Sequence, residues 1–218
     1  MFVSLKGPRK AITAGTASFN KFKLSLHGVQ VGKSLRLWGS VSVSVFPGSC
    51  ISLGDRIVLN AKMNKNTLEA RGPVALRTFR SNAEIVVGDD TGMTSCTISA
   101  GRSVRIGKRV LVGGGVLITD SDHHVVDLTS ARRFAGLPAD VSDRPVVIGD
   151  DVFIGARSIV LKGVEIGNGS VIGAGSVVTQ SIPAGVVAAG NPCRVIRPLR
   201  HLEQFADSVE LTAENQTR

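Results

Sequence analysis

Aliphatic and small residues recur at every sixth position through the second half of the chain, at Ile148, Ile154, Val160, Ile166, Ile172, Val178 and Ala184. Glycine follows directly at Gly149, Gly155, Gly167, Gly173 and Gly185. A small or branched residue stands four places on, at Val152, Ser158, Val164, Ser170, Ser176 and Ile182. An amphipathic helix repeats about every 3.6 residues and a half-buried strand every two, so neither produces this triple rule. The period predicts an all-β fold, a β-helix of hexapeptide repeats. Three hexapeptides make one triangular turn, the first residue of each points inward, and the small residue after it permits the corner. Successive turns stack through strand hydrogen bonds about 4.8 Å apart.

The rule extends upstream. Ile106-Gly107, Val112-Gly113 and Ile118 keep one phase, with Val110 and Val116 at the small or branched places, and that phase survives an interruption over 120–145 to resume at Ile148. Val87-Gly88 and Met93 share the period but stand one residue out of register with Ile106, which predicts a one-residue bulge between 99 and 105. Leu53-Gly54, Ile57 and Leu59 mark an earlier turn, and Val41, Val43 and Val45 alternate with Ser42 and Ser44 as in a half-buried strand. The β-helix domain is therefore expected over 35–198, regular after residue 85, with its excursion loop at 120–145. A basic segment, 1–34, precedes it. Leu199, Leu202, Phe205, Val209 and Leu211 have a loosely helical spacing, so a short carboxy-terminal helix and tail are expected over 199–218.

Composition agrees with a narrow interior: aromatics make up 4% of residues and Tyr is absent. Cys50, Cys96 and Cys193 are odd in number and lack Cys-x-x-Cys spacing, so they are expected to be reduced packing residues, with neither a disulfide framework nor a zinc site. No run is long and apolar enough to cross a bilayer, and no export signal is recognisable, so a cytoplasmic protein is expected. The net charge of +9 is concentrated. Residues 1–54 hold seven Lys and Arg and no acid. With no nucleic-acid motif present, nucleic acid is not expected as a partner, whereas residues 1–36 suit peripheral contact with an anionic membrane. Gly28 to Ser34 imitates a phosphate loop with one residue too few between its glycines.

The block RPVVIGDDVFIGARSIVLKGVEIGNGSVIGAGSVVTQSIPAGVVAAGNPCRVIRP, residues 144–198, resembles the hexapeptide-repeat acyltransferases of the maltose, colanic acid and capsule O-acetyltransferase group. The resemblance covers about 85–200 closely and 35–84 loosely. It implies a left-handed parallel β-helix, a homotrimer, acetyl-CoA as acyl donor between neighbouring subunits, and a saccharide or glycoconjugate acceptor. The group's loop carries a motif of the type Asp-x-Asp-x-His-Pro-x-Asp. Here the stretch reads Asp120-Ser121-Asp122-His123-His124-Val125-Val126-Asp127, which puts His124 at the catalytic position and departs by Val125 and His123. The choice between the two histidines stays open at this point.

Acetyl transfer to a hydroxyl needs a base, and imidazole titrates in the right range. On the resemblance, His124 is the base, Asp122 or Asp127 holds its other ring nitrogen, and His123 and Ser95 lie beside the acceptor. Gly155, Ala156, Gly173, Ala174 and Thr179 are the implied cofactor contacts, with Arg194 and Arg197 for the CoA phosphates. Each of these glycines also suits a prism corner, and Ser95 a turn. A zinc-dependent β-helical enzyme would need three separated imidazoles, which adjacent His123 and His124 do not provide. The alternative function is a non-catalytic binding or scaffold protein that uses the basic amino-terminal face.

Overall fold

The computed structural model describes residue 22 and residues 24–62, 71–126 and 142–199. The chain winds in triangular rungs. The first rung comprises β1 (Gln30–Val31), β2 (Arg36–Trp38) and β3 (Val41–Ser44), and the second β4 (Cys50–Leu53), β5 (Val58–Asn60) and β6 (Val74–Thr78). The third is β7 (Glu84–Val87), β8 (Gly92–Thr94) and β9 (Thr97–Ala100), and the fourth β10 (Ser103–Ile106), β11 (Leu111–Val112) and β12 (Leu117–Thr119). After the excursion come β13 (Val146–Ile148), β14 (Phe153–Ile154) and β15 (Ile159–Val160), then β16 (Glu165–Ile166), β17 (Val171–Ile172) and β18 (Val177–Val178). The described chain ends with β19 (Val186–Gly190) and β20 (Cys193–Pro198).

Every third strand pairs in parallel, so the rungs build three flat faces. The first face runs β1-β4-β7-β10-β13-β16, the second β2-β5-β8-β11-β14-β17-β19-β20, and the third β3-β6-β9-β12-β15-β18. This is the left-handed parallel β-helix, an exception to the right-handed rule for parallel crossovers. The first rung already pairs Gln30 with Ser52 and Val31 with Leu53, upstream of the expected start near residue 35. No helix among the described residues is long and apolar enough to cross a membrane. The helix expected over 199–218 and most of segment 1–34 lie outside the described residues.

The inward column follows the period. Ile148, Ile154, Val160, Ile166, Ile172 and Val178 are at most 2% exposed, and the small positions Ser158, Ser170 and Ser176 are fully buried. Their hydroxyls are satisfied by corner carbonyls: Ser158 Oγ donates to Gly173 O at 3.0 Å and Ser170 Oγ to Pro183 O at 2.7 Å. Glycine after the inward residue is a packing requirement. A Cβ on Gly155 would stand 2.5 Å from Ala174 N, and one on Gly107 2.7 Å from Gly149 C.

Two expectations need correction. Ala184 is exposed. Ile166 bridges Ile182 and Ile172 pairs with Ala188, so the last rung is shorter than its predecessors and Ala184 falls at a corner over Gly167. The offset between Val87 and Ile106 is not a strand bulge either. β7 and β10 pair without interruption from Glu84–Ser103 to Val87–Ile106. The additional chain lies in the turn at Gly101 and Arg102, where the loop is anchored. Cys96 and Cys193 are buried as expected, and burial pushes the Cys96 thiol up to about 12, but Cys50 is exposed.

Candidate active site

The excursion leaves and re-enters at the corner between the third and first faces, between Thr119 of β12 and Val146 of β13. Its entry is fixed by Asp120, whose side chain has no solvent exposure. Asp120 Oδ1 accepts from Gly101 N, and Oδ2 from Arg102 N and Ser103 N, each at 2.7 Å. The first Asp of the motif is therefore a structural carboxylate that caps the turn of the rung before. The loop neck closes where Arg144 N donates to Asp120 O at 2.9 Å.

His123 sits in the left-handed region at φ 58°, unusual for a residue with a Cβ. His123 N donates to Ser121 Oγ at 3.2 Å, and two further contacts hold the side chain. Its ring packs on Phe79, centroids 4.8 Å apart, and its Nε2 lies 3.1 Å from Thr119 Oγ1. Thr119 Oγ1 also lies 3.2 Å from Ser121 O and accepts from Ser121 N, so the hydroxyl ties the His123 ring to the backbone of the same turn. This imidazole is committed to the loop. His124 is exposed and has no hydrogen bond or ion pair with the described residues.

The carboxylate expected to hold an imidazole has a different partner. Asp122 Oδ2 accepts from Lys162 Nζ, and Lys162 Nζ also donates to Ser142 O at 3.3 Å. Asp127, the other candidate, lies outside the described residues. On the re-entry side the fully buried Asp143 pairs with Arg80 Nε at 2.7 Å, and the Arg80 guanidinium stands 5.6 Å from the Phe79 ring centroid. Gly101 is needed beneath this pair, because a Cβ there would meet Asp143 Oδ2 at 2.5 Å.

The expected cofactor residues fall in separate places on one chain. Gly155 and Ala156 follow β14 and Gly173 and Ala174 follow β17, so all four stack at the corner between the second and third faces, on the same column as Ser95 after β8. Ala174 is exposed, while the glycines are fixed by the coil-to-coil contact already described. Ser95 is 6% exposed and its hydroxyl is engaged with Gly72 O at 2.9 Å. Thr179 follows β18 at the loop's own corner and is exposed. Arg194 and Arg197 are exposed on β20, with guanidinium donors on the neighbouring carbonyls of Cys193 and Pro198. The histidines and the glycine column thus occupy opposite edges of the third face.

Sequence reasoning missed Thr119, Phe79, Arg80, Asp143 and Lys162. One signal was present for Lys162: it follows Val160 by two places as Asp120 follows Ile118, and Ile118 pairs with Val160. Aligning the rungs puts a cation directly beneath the acidic motif.

Residues 145–180 match the family model described as the hexapeptide repeat of succinyl-transferase, so the chain carries that repeat. Over 91 residues it is 42% identical to the 2,3,4,5-tetrahydropyridine-2,6-dicarboxylate N-acetyltransferase of Staphylococcus aureus strain Newman, covering 42% of this chain and 31% of that protein. Over 123 residues it is 37% identical to the galactoside O-acetyltransferase of Escherichia coli K12, covering 56% of this chain and 52% of that protein. The chain thus spans about half or less of the length of these curated relatives. Among solved structures, a galactoside acetyltransferase in complex with coenzyme A superposes with a TM-score of 0.50 at 25% identity, covering 88% of this chain and 78% of that one.

Proposed function

We propose that the protein is an acetyl-CoA-dependent O-acetyltransferase whose acceptor is a hydroxyl of a saccharide or glycoconjugate, working at the interfaces of a homotrimer. The observation that carries the reading is the contrast within the histidine doublet. One ring is tied into the loop and its neighbour is presented outward at a prism edge, where an approaching copy could meet it. The 37% identity to a galactoside O-acetyltransferase supports the same chemistry. The separation of the glycine column from the histidines supports the shared site.

In this reading His124 accepts the acceptor hydroxyl's proton as the oxygen attacks the thioester carbonyl. The tetrahedral adduct collapses, the carbon–sulfur bond breaks, and the proton passes to the departing CoA sulfur. Products are the acetyl ester and free CoA. His123 holds the loop and borders the acceptor, and Asp127 is the carboxylate left to orient His124, since Asp122 is engaged by Lys162. The alanines and Thr179 border the pantetheine arm, and Arg194 and Arg197 meet the phosphates.

A second reading exchanges the hydroxyl for an amine. It is favoured by the 42% identity to an N-acetyltransferase. Both are separated by measuring CoA release from acetyl-CoA against a panel of mono- and oligosaccharides that includes amino sugars. Release with hydroxyl acceptors and its loss in His124→Ala, with CoA binding kept, is the expected result. Activity undiminished in that variant, or release with amines alone, would overturn the O-acetyltransferase mechanism.

A further inference from the structure

The geometry points to Lys162 as a positioning residue: a clasp that shuts the neck of the histidine loop and so holds His124 in place. The inference rests on the proposed acetyl transfer only for its kinetic readout. Lys162 lies on the rung after the loop, beyond β15. Its ammonium reaches both limbs of the neck at once, Asp122 on the outgoing limb and the Ser142 carbonyl on the returning one. Lys162 and Asp122 side chains are each only about a quarter exposed, 26% and 27%, so the pair is less screened than a surface ion pair.

The clasp has a counterpart above it. Phe79 and Arg80, on the turn between β6 and β7, hold the same two limbs from the other side, Phe79 through the His123 ring and Arg80 through buried Asp143. The neck is gripped from the rungs on both sides, and His124 is two residues beyond the carboxylate that Lys162 holds. Removing the upper grip would bury an unpaired carboxylate and endanger folding. Removing the lower one leaves Asp122 partly solvated, so the fold survives and the loop alone loosens. That asymmetry makes Lys162 the informative position.

The test compares Lys162→Met, Lys162→Arg, Asp122→Asn and the Lys162→Met/Asp122→Asn double variant in the full chain. Three quantities are read: kcat and KM for acetyl-CoA with the best sugar acceptor, the rate of cleavage after Arg132 or Arg133 by an arginine-specific protease, and the thermal midpoint. The expected result for Lys162→Met is a kcat at least tenfold lower, a KM for acetyl-CoA within threefold of the parent, and loop cleavage at least tenfold faster. Lys162→Arg should recover most of both effects, and the double variant should be no worse than the poorer single one, because the two share one interaction. Parent-like kcat and cleavage in Lys162→Met would overturn the clasp. So would a broad fall in thermal midpoint together with weakened CoA binding, since that marks a merely structural lysine. If the parent itself releases no CoA with any acceptor, the acetyl-transfer reading fails while cleavage still decides the clasp: accelerated cleavage upholds it and unchanged cleavage removes it.

Discussion

Two corners of the prism use the same residue types to different ends. Between the first and second faces, carboxylates and amides form a ladder. Asp55 Oδ1 accepts from Lys33 N, Asp89 Oδ1 from Asp55 N, Asp150 Oδ1 from Lys108 N, and Asn168 Oδ1 from Asp150 N. Beside it, Arg56 grips Asp90 and Arg109 grips Asp151, each through two hydrogen bonds of 2.6–2.8 Å. Each ladder carbonyl group thus finds a donor on a neighbouring rung. At the corner between third and first faces, Asp120, Asp122 and Asp143 are also engaged, yet His124 has no partner among the described residues. The proposed function makes this corner the reactive one, with His124 as the exposed polar side chain and the surrounding pairs holding the loop that carries it.

The largest effect that tests this contrast is on turnover. His124→Ala should lower acetyl transfer by about 10²–10⁴-fold, the usual contribution of a general base, with the thermal midpoint unchanged. An alanine at Asp150 should leave turnover as it was, measured in the same CoA-release assay. Asp120→Ala comes next. It strands three backbone N–H groups at a buried turn, and should cost about 3 kcal/mol in urea unfolding with the slope unchanged. Asp150→Ala removes one acceptor at a partly solvated corner, and should cost about 1 kcal/mol by the same measurement. A loss at Asp150 equal to that at Asp120 would erase the difference between the corners.

The smallest effect concerns acid. Hydrogen bonds from the Arg56 and Arg109 guanidinium groups hold Asp90 and Asp151 below the ordinary carboxylate range, and the backbone N–H of Asp55 does so for Asp89. A carboxyl that ionises more readily when folded stabilises the fold above its unfolded pKa, near 4, and loses that contribution as pH falls through the folded value. Asp151→Asn should therefore flatten the decline of stability below about pH 4, and 1 M salt should shrink the difference. Thermal midpoints recorded from pH 2 to pH 7 would check this, and parallel curves for parent and variant would contradict it.

The rungs were legible because Ile148 to Val178 obey a rule set by the stack itself. An inward aliphatic must fit the prism and the next residue must clear the backbone below, so sequence and geometry share one period. Ala184 kept that spacing by coincidence, since the shortened last rung is fixed by strand pairing that spacing cannot show. The loop was legible as an interruption, and the histidine doublet within it as its candidate chemistry, though only the structure shows that His123 is tied to Phe79 and Thr119 while His124 is exposed. Lys162, Phe79, Arg80 and Asp143 were not legible, because their partners lie up to 63 residues away and meet only through stacking. The proposed meeting of the glycine column with a neighbour's histidines would depend on a second chain, and no single sequence encodes such a contact in its spacing.

The last strand has a further consequence. β19 continues the second face in parallel, but β20 returns antiparallel along it, with Val187 opposite Arg197 and Gly190 opposite Cys193. A solenoid of identical parallel rungs otherwise offers its final edge as a template for the opening rung of another molecule. On this face the reversed polarity gives an incoming parallel strand the wrong partner, and Arg194 and Arg197 add charge at the rim. The second face thus carries its own terminator, which works against end-to-end stacking along that face.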